Sequence, residues 1–591
     1  MTSDVIDEDV IEPSREGISY RPLRPPRDTV WSRYWADNFL RSTFTPGGYA
    51  YVIWWCEALE HAVDEAKGYR DLLALPMFKY HRGRAYMNTE YLRRRAQYDP
   101  PFLRDQELLN HFPPSQRDEV ASLPFKLWSR LLGELRVLLF HRDQSLFRNH
   151  RFFQRTSQDI LARVRSKLDG IDLDHGSLND LLWYRQLLRQ LVIRHEVGYV
   201  GWIFHYNTLL DALRATLLRN WYPDGHKETF ARLVSGNPDN VSVQIASALW
   251  ELSRLINSEA ALASIFEQHD PQQITEIVGE MPEAERFRKA LERFLSKYGD
   301  RRESQELYRA PSWVEDPTPV LAILKAMCSL PPERSPDLEL ETQIRRRGDA
   351  TEEVESALKT QRFGWLKSRI FRALLRYNLA YSACRENQRF VADTLISRYR
   401  RMLLSAGDYL MGSGVLSDRE DVFFLTEPEV FDILDDDSLI SEGQAKVGSR
   451  KTAFRGYQSL PPLFVGGTSQ EPEVSVGHIA EDSGPLVLRG TPASHGIATG
   501  PARVLKRLSD VDTLRQGDVL VASAIDPGWT VAFPIISAVV TEIGGALSHG
   551  AIMAREFGVP AVIGVEGALA QLRNGQTITV DGQSGEVTVA R

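Results

Sequence analysis

The period of the hydrophobic pattern changes once along the chain, and that change limits the possible folds more than any other feature. From Trp31 to about Leu434, apolar residues recur every three or four positions, as in "SLNDLLWYRQLLRQLVIRHEVGYVGWIFHYNTLLDALRATLLRNW". This is the spacing of one face of an α-helix. Asp239 and Asn240 stand just before "VSVQIASALWELSRLI", where their short side-chain oxygens suit a helix start. After residue 484 the texture becomes short β-branched runs, "ARVL", "DVLVAS", "SAVVTE", "PAVIGV", "TITV" and "EVTVA", with turn signals at Asn574-Gly575 and Asp581-Gly582. The reading is a multidomain α and α/β protein, with a large, mostly helical domain over 21–437 and a compact β/α/β domain over 485–591. Between them, 438–484 breaks every periodic run with Pro, Gly, Ser and Thr, which predicts an extended, flexible linker. Residues 1–20 are polar and acidic and predict a disordered tail.

Composition narrows the function classes. At 591 residues and 43% hydrophobic, the chain can bury two or more cores. Lys plus Arg is 71 against Asp plus Glu 79, so the net charge of -8 gives no global attraction to nucleic acid or to an anionic membrane. Cys56, Cys328 and Cys384 are scattered, which disfavours a disulfide framework and a zinc cluster and fits a reducing compartment. No metal is expected on this chain. The acidic N-terminus has no apolar core of a signal peptide, and no run approaches the eighteen or so apolar residues of a membrane span. A cytoplasmic protein is expected.

The chemistry concentrates in "GGALSHGAIMAREFGVPAVIGV", residues 544–565. An apolar strand, "ISAVVTE", runs into Gly544 and Gly545, and "AIMAREF" forms a short helix stopped by Gly558 at C′ and by Pro560. His549 falls at the helix start. There, unpaired backbone N–H groups and the positive end of the helix dipole favour an anion, and a neutral imidazole is a nucleophile near neutral pH. A phosphoryl group on His549 would form where it is stabilised. The alternative is a helix-capping or core histidine. The same SHG tripeptide also occurs at Ser494, His495 and Gly496.

The stretch around His549 resembles the phosphohistidine signature of phosphoenolpyruvate-utilising enzymes. "GTPASHGIATGPARVL" is similar to that family's opening strand and turn, "GDVLVASAIDPGWTVAF" to its second segment, and "GQTITVDGQSGEVTV" to its closing hairpin. The resemblance implies that 485–591 is a swivelling domain with His549 as phosphate carrier. His495 falls where the family usually has proline, which makes it the decoy.

The helical region resembles the acceptor-binding domain of rifampin phosphotransferases at "LVSGNPDNVSVQIASALWELSRL", "FLSKYGDRRESQELYRAPSWVEDP" and "CRENQRFVADTLISRYRRMLLSAGDYLMGSGVLSDREDVFFLTEPEV". In "CRENQRF" the resemblance implies that Arg385 and Arg389 face the incoming phosphohistidine, with arginine at 389 where the family usually has lysine. At i and i+4 they share one helix face, and with Arg398 further along the three would form a phosphate-receiving patch. The alternative is a solvated basic stripe paired with Glu386 and other acids. In "YGDRRESQELY" the family pattern implies that Arg301 and Glu306 serve the acceptor, Glu306 by taking a hydroxyl proton; a structural ion pair is the other reading. His195, Glu196 and His205 lack the HExxH spacing of a zinc site. They read as core or pocket-lining residues, or as a general base for the acceptor. Trp31, Trp35, Trp54 and Trp55 form an aromatic cluster suited to core packing or to an apolar pocket.

The expected function is a dikinase-like phosphotransferase in which His549 carries a phosphoryl group to a hydroxyl of a small organic acceptor. No P-loop or ATP-grasp pattern precedes the helical region and the chain ends soon after its last hairpin. ATP and Mg2+ are therefore expected on a separate ATP-grasp partner, as in the related phenylphosphate synthases, and pyruvate is not the expected acceptor. Two other readings stay open: a phosphocarrier charged by a donor other than ATP, and a non-catalytic binding protein that keeps the fold.

Overall fold

The computed structural model describes residues 28–39, 43–104, 106–223, 229–230, 232–302, 309–457, 461–466, 486–545 and 548–589. The predicted tail, 1–20, lies outside these. The chain divides into two compact units. One comprises Met1–Tyr206, Gln305–Arg309 and Thr394–Gly477, the other Asn207–Ser304, Ala310–Asp393 and His478–Arg591. The α and α/β character is as expected. The single helical domain over 21–437 is not, because its middle part groups with the C-terminal strands. Among the described residues no helix is long and apolar enough to cross a membrane.

The first unit is helical around a small antiparallel sheet. Strands β1 (Trp31–Ser32), β2 (Phe78–His81), β3 (Arg84–Asn88) and β4 (Phe464–Val465) run in the order β2-β3-β1-β4. Helix Pro46–Lys67 shows why its sequence is helical where it is. Thr45 caps the start by accepting from the Gly48 N–H, Pro46 occupies the first turn, and Gly68 at φ 81° ends it. Trp31 and Trp54 are buried, and Trp35 packs on Phe78 with ring centroids 4.9 Å apart. Trp31 and Trp54 are core residues, and Trp35 is half-buried at the edge.

The stretch 438–484 is not an extended linker along its length. Ile440–Gly456 is a helix, and Phe464–Val465 pairs with β1. The helix was hidden because it has no apolar stripe to read; Gly443, Gly448 and Gly456 interrupt it. Ion pairs hold it instead. Arg450 grips Glu429 with both terminal nitrogens, at 2.6 and 3.0 Å, and Lys451 reaches Asp421 at 2.6 Å.

In the second unit, helix Val241–Asn257 begins where expected, with the Asn240 side chain accepting from the Ser242 N–H. The 49-residue helix Gly364–Gly412 contributes its residues up to Asp393 to this unit. Eight strands follow: β5 (Val487–Arg489), β6 (Thr491–Ser494), β7 (Ile497–Leu505), β8 (Val519–Ala522), β9 (Ala538–Thr541), β10 (Ala561–Ile563), β11 (Thr577–Asp581) and β12 (Glu586–Val589). They form one sheet in the order β5-β12-β11-β7-β8-β9-β10-β6. The central strands β7 to β10 are mutually parallel and the flanking pairs antiparallel. Every residue of β8 and β9 is buried, which is why they read as unbroken apolar runs. Helix His549–Glu556 is the crossover between the parallel strands β9 and β10, so His549 stands at its N-terminus, beyond the carboxyl end of β9.

Candidate functional site

The His549 helix is fixed at both ends by its own sequence. Ser548 caps it, its hydroxyl accepting from the Ala551 N–H at 3.4 Å. Gly558, at φ +61°, ends it as expected: the Val559 N–H donates to Ala554 O at 2.8 Å and the Gly558 N–H to Arg555 O at 3.3 Å, closing a Schellman motif. Upstream, Gly544 has φ +132°, and a β-carbon there would lie 2.6 Å from Ile563 Cγ2. The turn that delivers His549 therefore requires glycine.

Both imidazole nitrogens are engaged. Nδ1 lies 2.8 Å from Glu386 Oε2, and Nε2 lies 3.0 Å from Thr530 Oγ1. A carboxylate only accepts, so Nδ1 carries the proton and donates to it. In the neutral ring Nε2 then accepts from the Thr530 hydroxyl. The Glu386 side chain is 8% exposed and that of His549 15%, so the pair is largely shielded from water. Burial alone would push the Glu386 carboxyl upward. The charge of His549, their hydrogen bond, Arg385 and Arg301 outweigh that and hold it below its ordinary value.

Around this pair the structure gathers some of the expected residues. Asp393, 2% exposed, bridges two of them: Arg301 Nη1 donates to Oδ2 at 2.7 Å and Arg389 Nε to Oδ1 at 3.1 Å. Arg301 is itself buried, with Cζ 5.5 Å from the centroid of the Phe390 ring. Arg385 lies one residue from Glu386 and lines a cleft with Arg214 and Arg555. Glu306 lies outside the described residues.

Arg398 does not join the patch. It stands nine positions from Arg389, about two and a half helical turns, which rotates it to the other side of the helix. There it makes a bidentate pair with Asp169, both bonds 2.9 Å. Glu386 and Asp393 were missed as partners of specific groups, although both lie in or beside "CRENQRF". Thr530 was visible only as part of "DPGWTVAF".

The remaining histidines have other surroundings. His195 is fully buried in the π-helical turn Ile193–Val200, with Nδ1 2.9 Å from Glu196 Oε1. His205 Nε2 is 2.6 Å from Lys67 Nζ; burial, then Lys67 and Arg130, push its pKa far down, so it is a neutral acceptor in a core network. His495 lies in the turn between β6 and β7.

Comparison with known proteins finds matches in both the helical and the α/β part of the chain. A family described as the rifampicin phosphotransferase fourth domain matches residues 203–386, which hold Arg301, Arg385 and Glu386. A family described as the PEP-utilising enzyme mobile domain matches residues 514–585, which hold Thr530 and His549. The chain is 30% identical over 401 residues to YvkC, an uncharacterized phosphotransferase of Bacillus subtilis, covering 65% of this chain and 47% of that protein. It is 30% identical over 378 residues to the rifampicin phosphotransferase of Streptomyces sviceus, covering 63% and 42%. Against the prodigiosin synthesizing transferase PigC of Serratia marcescens it is 25% identical over 406 residues, covering 67% and 44%. The matched stretches span less than half the length of each of these three relatives. The resemblance read from the motifs is thus present in the helical region and in the α/β region alike.

Proposed function

We propose that this chain performs the delivery half of a phosphotransfer reaction: His549 carries a phosphoryl group on Nε2 and passes it to a hydroxyl of a small organic acceptor beside Arg385 and Arg389. The observation that carries this reading is the docking of His549 Nδ1 on Glu386, next to Arg385. A carboxylate that holds the Nδ1 proton fixes the ring and leaves the Nε2 lone pair as the nucleophile, once the Thr530 hydroxyl turns aside.

In delivery, the acceptor oxygen attacks phosphorus, an O–P bond forms, and the N–P bond breaks with its electron pair returning to Nε2. The hydroxyl proton passes to a carboxylate, the role the family pattern assigns to Glu306. Arg385 and Arg389 stabilise the charge on the phosphoryl oxygens, with Arg301 and Asp393 setting the position of Arg389.

ATP with Mg2+ supplies the phosphoryl group in this reading. The residues around His549 do not suit the metal, because Asp393 is committed to Arg301 and Arg389 and Glu386 to His549. Among the described residues no three His, Cys, Asp or Glu side chains converge as metal ligands. In this reading nucleotide and Mg2+ belong to a separate ATP-grasp partner.

The test separates carrying from delivery. With the partner and labelled ATP, Arg385→Ala and Arg389→Ala should still accumulate phosphate on His549. Discharge to a panel of small hydroxylated compounds should slow by about ten- to a thousandfold, on the order of 1.4–4 kcal/mol. Arg389→Lys should be mildest. Alanine variants that fold but accumulate no phosphohistidine would move these arginines to charging and overturn the placement of the acceptor.

A further inference from the structure

Helix Leu127–Phe140, in the first unit, reverses the usual order of a surface helix, which turns its apolar stripe inward and its charges outward. Its charges face the protein. Arg130 is buried, with Nη1 3.0 Å from Asp99 Oδ1 and Nε 3.1 Å from Glu134 Oε1, and the same Glu134 oxygen accepts from the buried Lys67 Nζ at 2.8 Å. Gly133 lets the helix lie this close: a β-carbon there would stand 3.1 Å from the Tyr69 hydroxyl oxygen and 3.2 Å from Lys67 Cβ.

The outward side is apolar. Trp128 is 76% exposed and Phe140 75%, while Leu131, Leu132, Leu135, Leu138 and Leu139 lie between 45% and 61%. Together these side chains leave on the order of 800 Å² of apolar surface in water. The largest such patch on an ordinary monomer is about 300–600 Å². A specific interface covers about 800 Å² on each partner, so the face is large enough for a stable contact by itself.

The pattern of the face selects its occupant. Trp128, Leu131, Leu135 and Leu138 follow one another at spacings of three and four, the seam along which two helices interlock side chains. Over 127–140, Arg136 is the one exposed charge, whereas a helix that lies in a membrane interface carries several basic residues beside its apolar stripe. Arg142 and Arg148 come after the helix ends, and Arg148 pairs with Asp143 at 3.6 Å. A partner that only visits would meet a more polar surface; permanent homodimers join through apolar faces of this kind.

We propose that this face is a homodimer interface, in which helix Leu127–Phe140 packs on its counterpart in a second copy of the chain around a two-fold axis. The inference does not depend on the phosphotransfer reading.

Sedimentation velocity of the full chain over about 1–50 µM tests it. The wild type should run at twice the mass of the chain, and its unfolding temperature should rise with concentration. Leu132→Glu and Leu135→Glu should each weaken association by about a hundredfold or more and run as monomers. Their far-UV circular dichroism should match the wild type, because neither side chain is buried. Trp365→Glu, at a 67% exposed apolar residue of the second unit, should stay dimeric. A wild type that remains monomeric across this range overturns the proposal, and flotation of that monomer with vesicles of phosphatidylcholine and phosphatidylglycerol would give the face to a lipid surface instead. A dimer that survives both leucine variants, or that Trp365→Glu dissolves, also overturns it by placing the contact elsewhere.

Discussion

Nδ1 of His549 lies 2.8 Å from Oε2 of Glu386, a residue 163 positions earlier in the chain. The bond joins the crossover helix of the α/β sheet to the helix that carries Arg385 and Arg389. Glu386→Gln keeps an acceptor for the Nδ1 proton and loses the charge, whereas Glu386→Ala loses both. Phosphorylation of His549 by the partner should survive in each, while discharge to acceptor slows about tenfold for Gln and up to about a hundredfold for Ala. Single-turnover loss of label from the protein measures this. Wild-type discharge in both variants would reduce the contact to packing.

The same bond assigns the phosphorylated nitrogen. Because Nδ1 is committed to Glu386, phosphate should appear on Nε2. Long-range 15N–31P couplings in ring-labelled protein distinguish the two positions, and phosphate on Nδ1 would contradict the orientation given to the ring.

Glu556 predicts a pH dependence of stability. Burial raises its carboxyl from the ordinary 4.5 to about 7, despite the amides of Asn237 and Gly236. The folded state therefore holds a proton that the unfolded state has released. This stabilisation is complete below about pH 4.5 and is lost as pH rises through about 7, a contribution on the order of 3 kcal/mol. Glu556→Gln keeps an acceptor for the two amides and removes the titration. Thermal unfolding from pH 5 to 8 should fall more steeply for wild type than for the variant, and parallel curves would refute the assignment.

The helix Ile440–Gly456 should depend on Arg450. The Glu429 carboxyl is held down to about 2; burial opposes the shift, and the hydrogen bonds and charge of Arg450 lead the groups that outweigh it. Arg450→Met should cost about 1–3 kcal/mol and selectively remove hydrogen-exchange protection from 440–456. Unchanged protection would mean that other contacts hold the helix.

What was legible in the sequence is local. The cap at Asn240, the stop at Gly558 and the buried strands β8 and β9 each follow from a few neighbouring residues, and the structure has them where the sequence places them. The helix 440–456 was not legible, because hydrophobic period is silent where ion pairs supply the stability. Helical geometry could have separated Arg398 from Arg389, since nine residues turn a helix by half a revolution beyond two full turns. The Asp393 bridge and the Glu386 contact are different in kind. They join segments far apart in the chain, and Glu386 looked like one more surface acid beside two arginines.

Incubation of the full chain with its charging partner and labelled ATP, followed by peptide mapping under alkaline conditions, should find acid-labile, base-stable phosphate on His549. His549→Ala should abolish the label and His495→Ala should leave it intact. Label that survives in His549→Ala and disappears in His495→Ala would contradict the central claim.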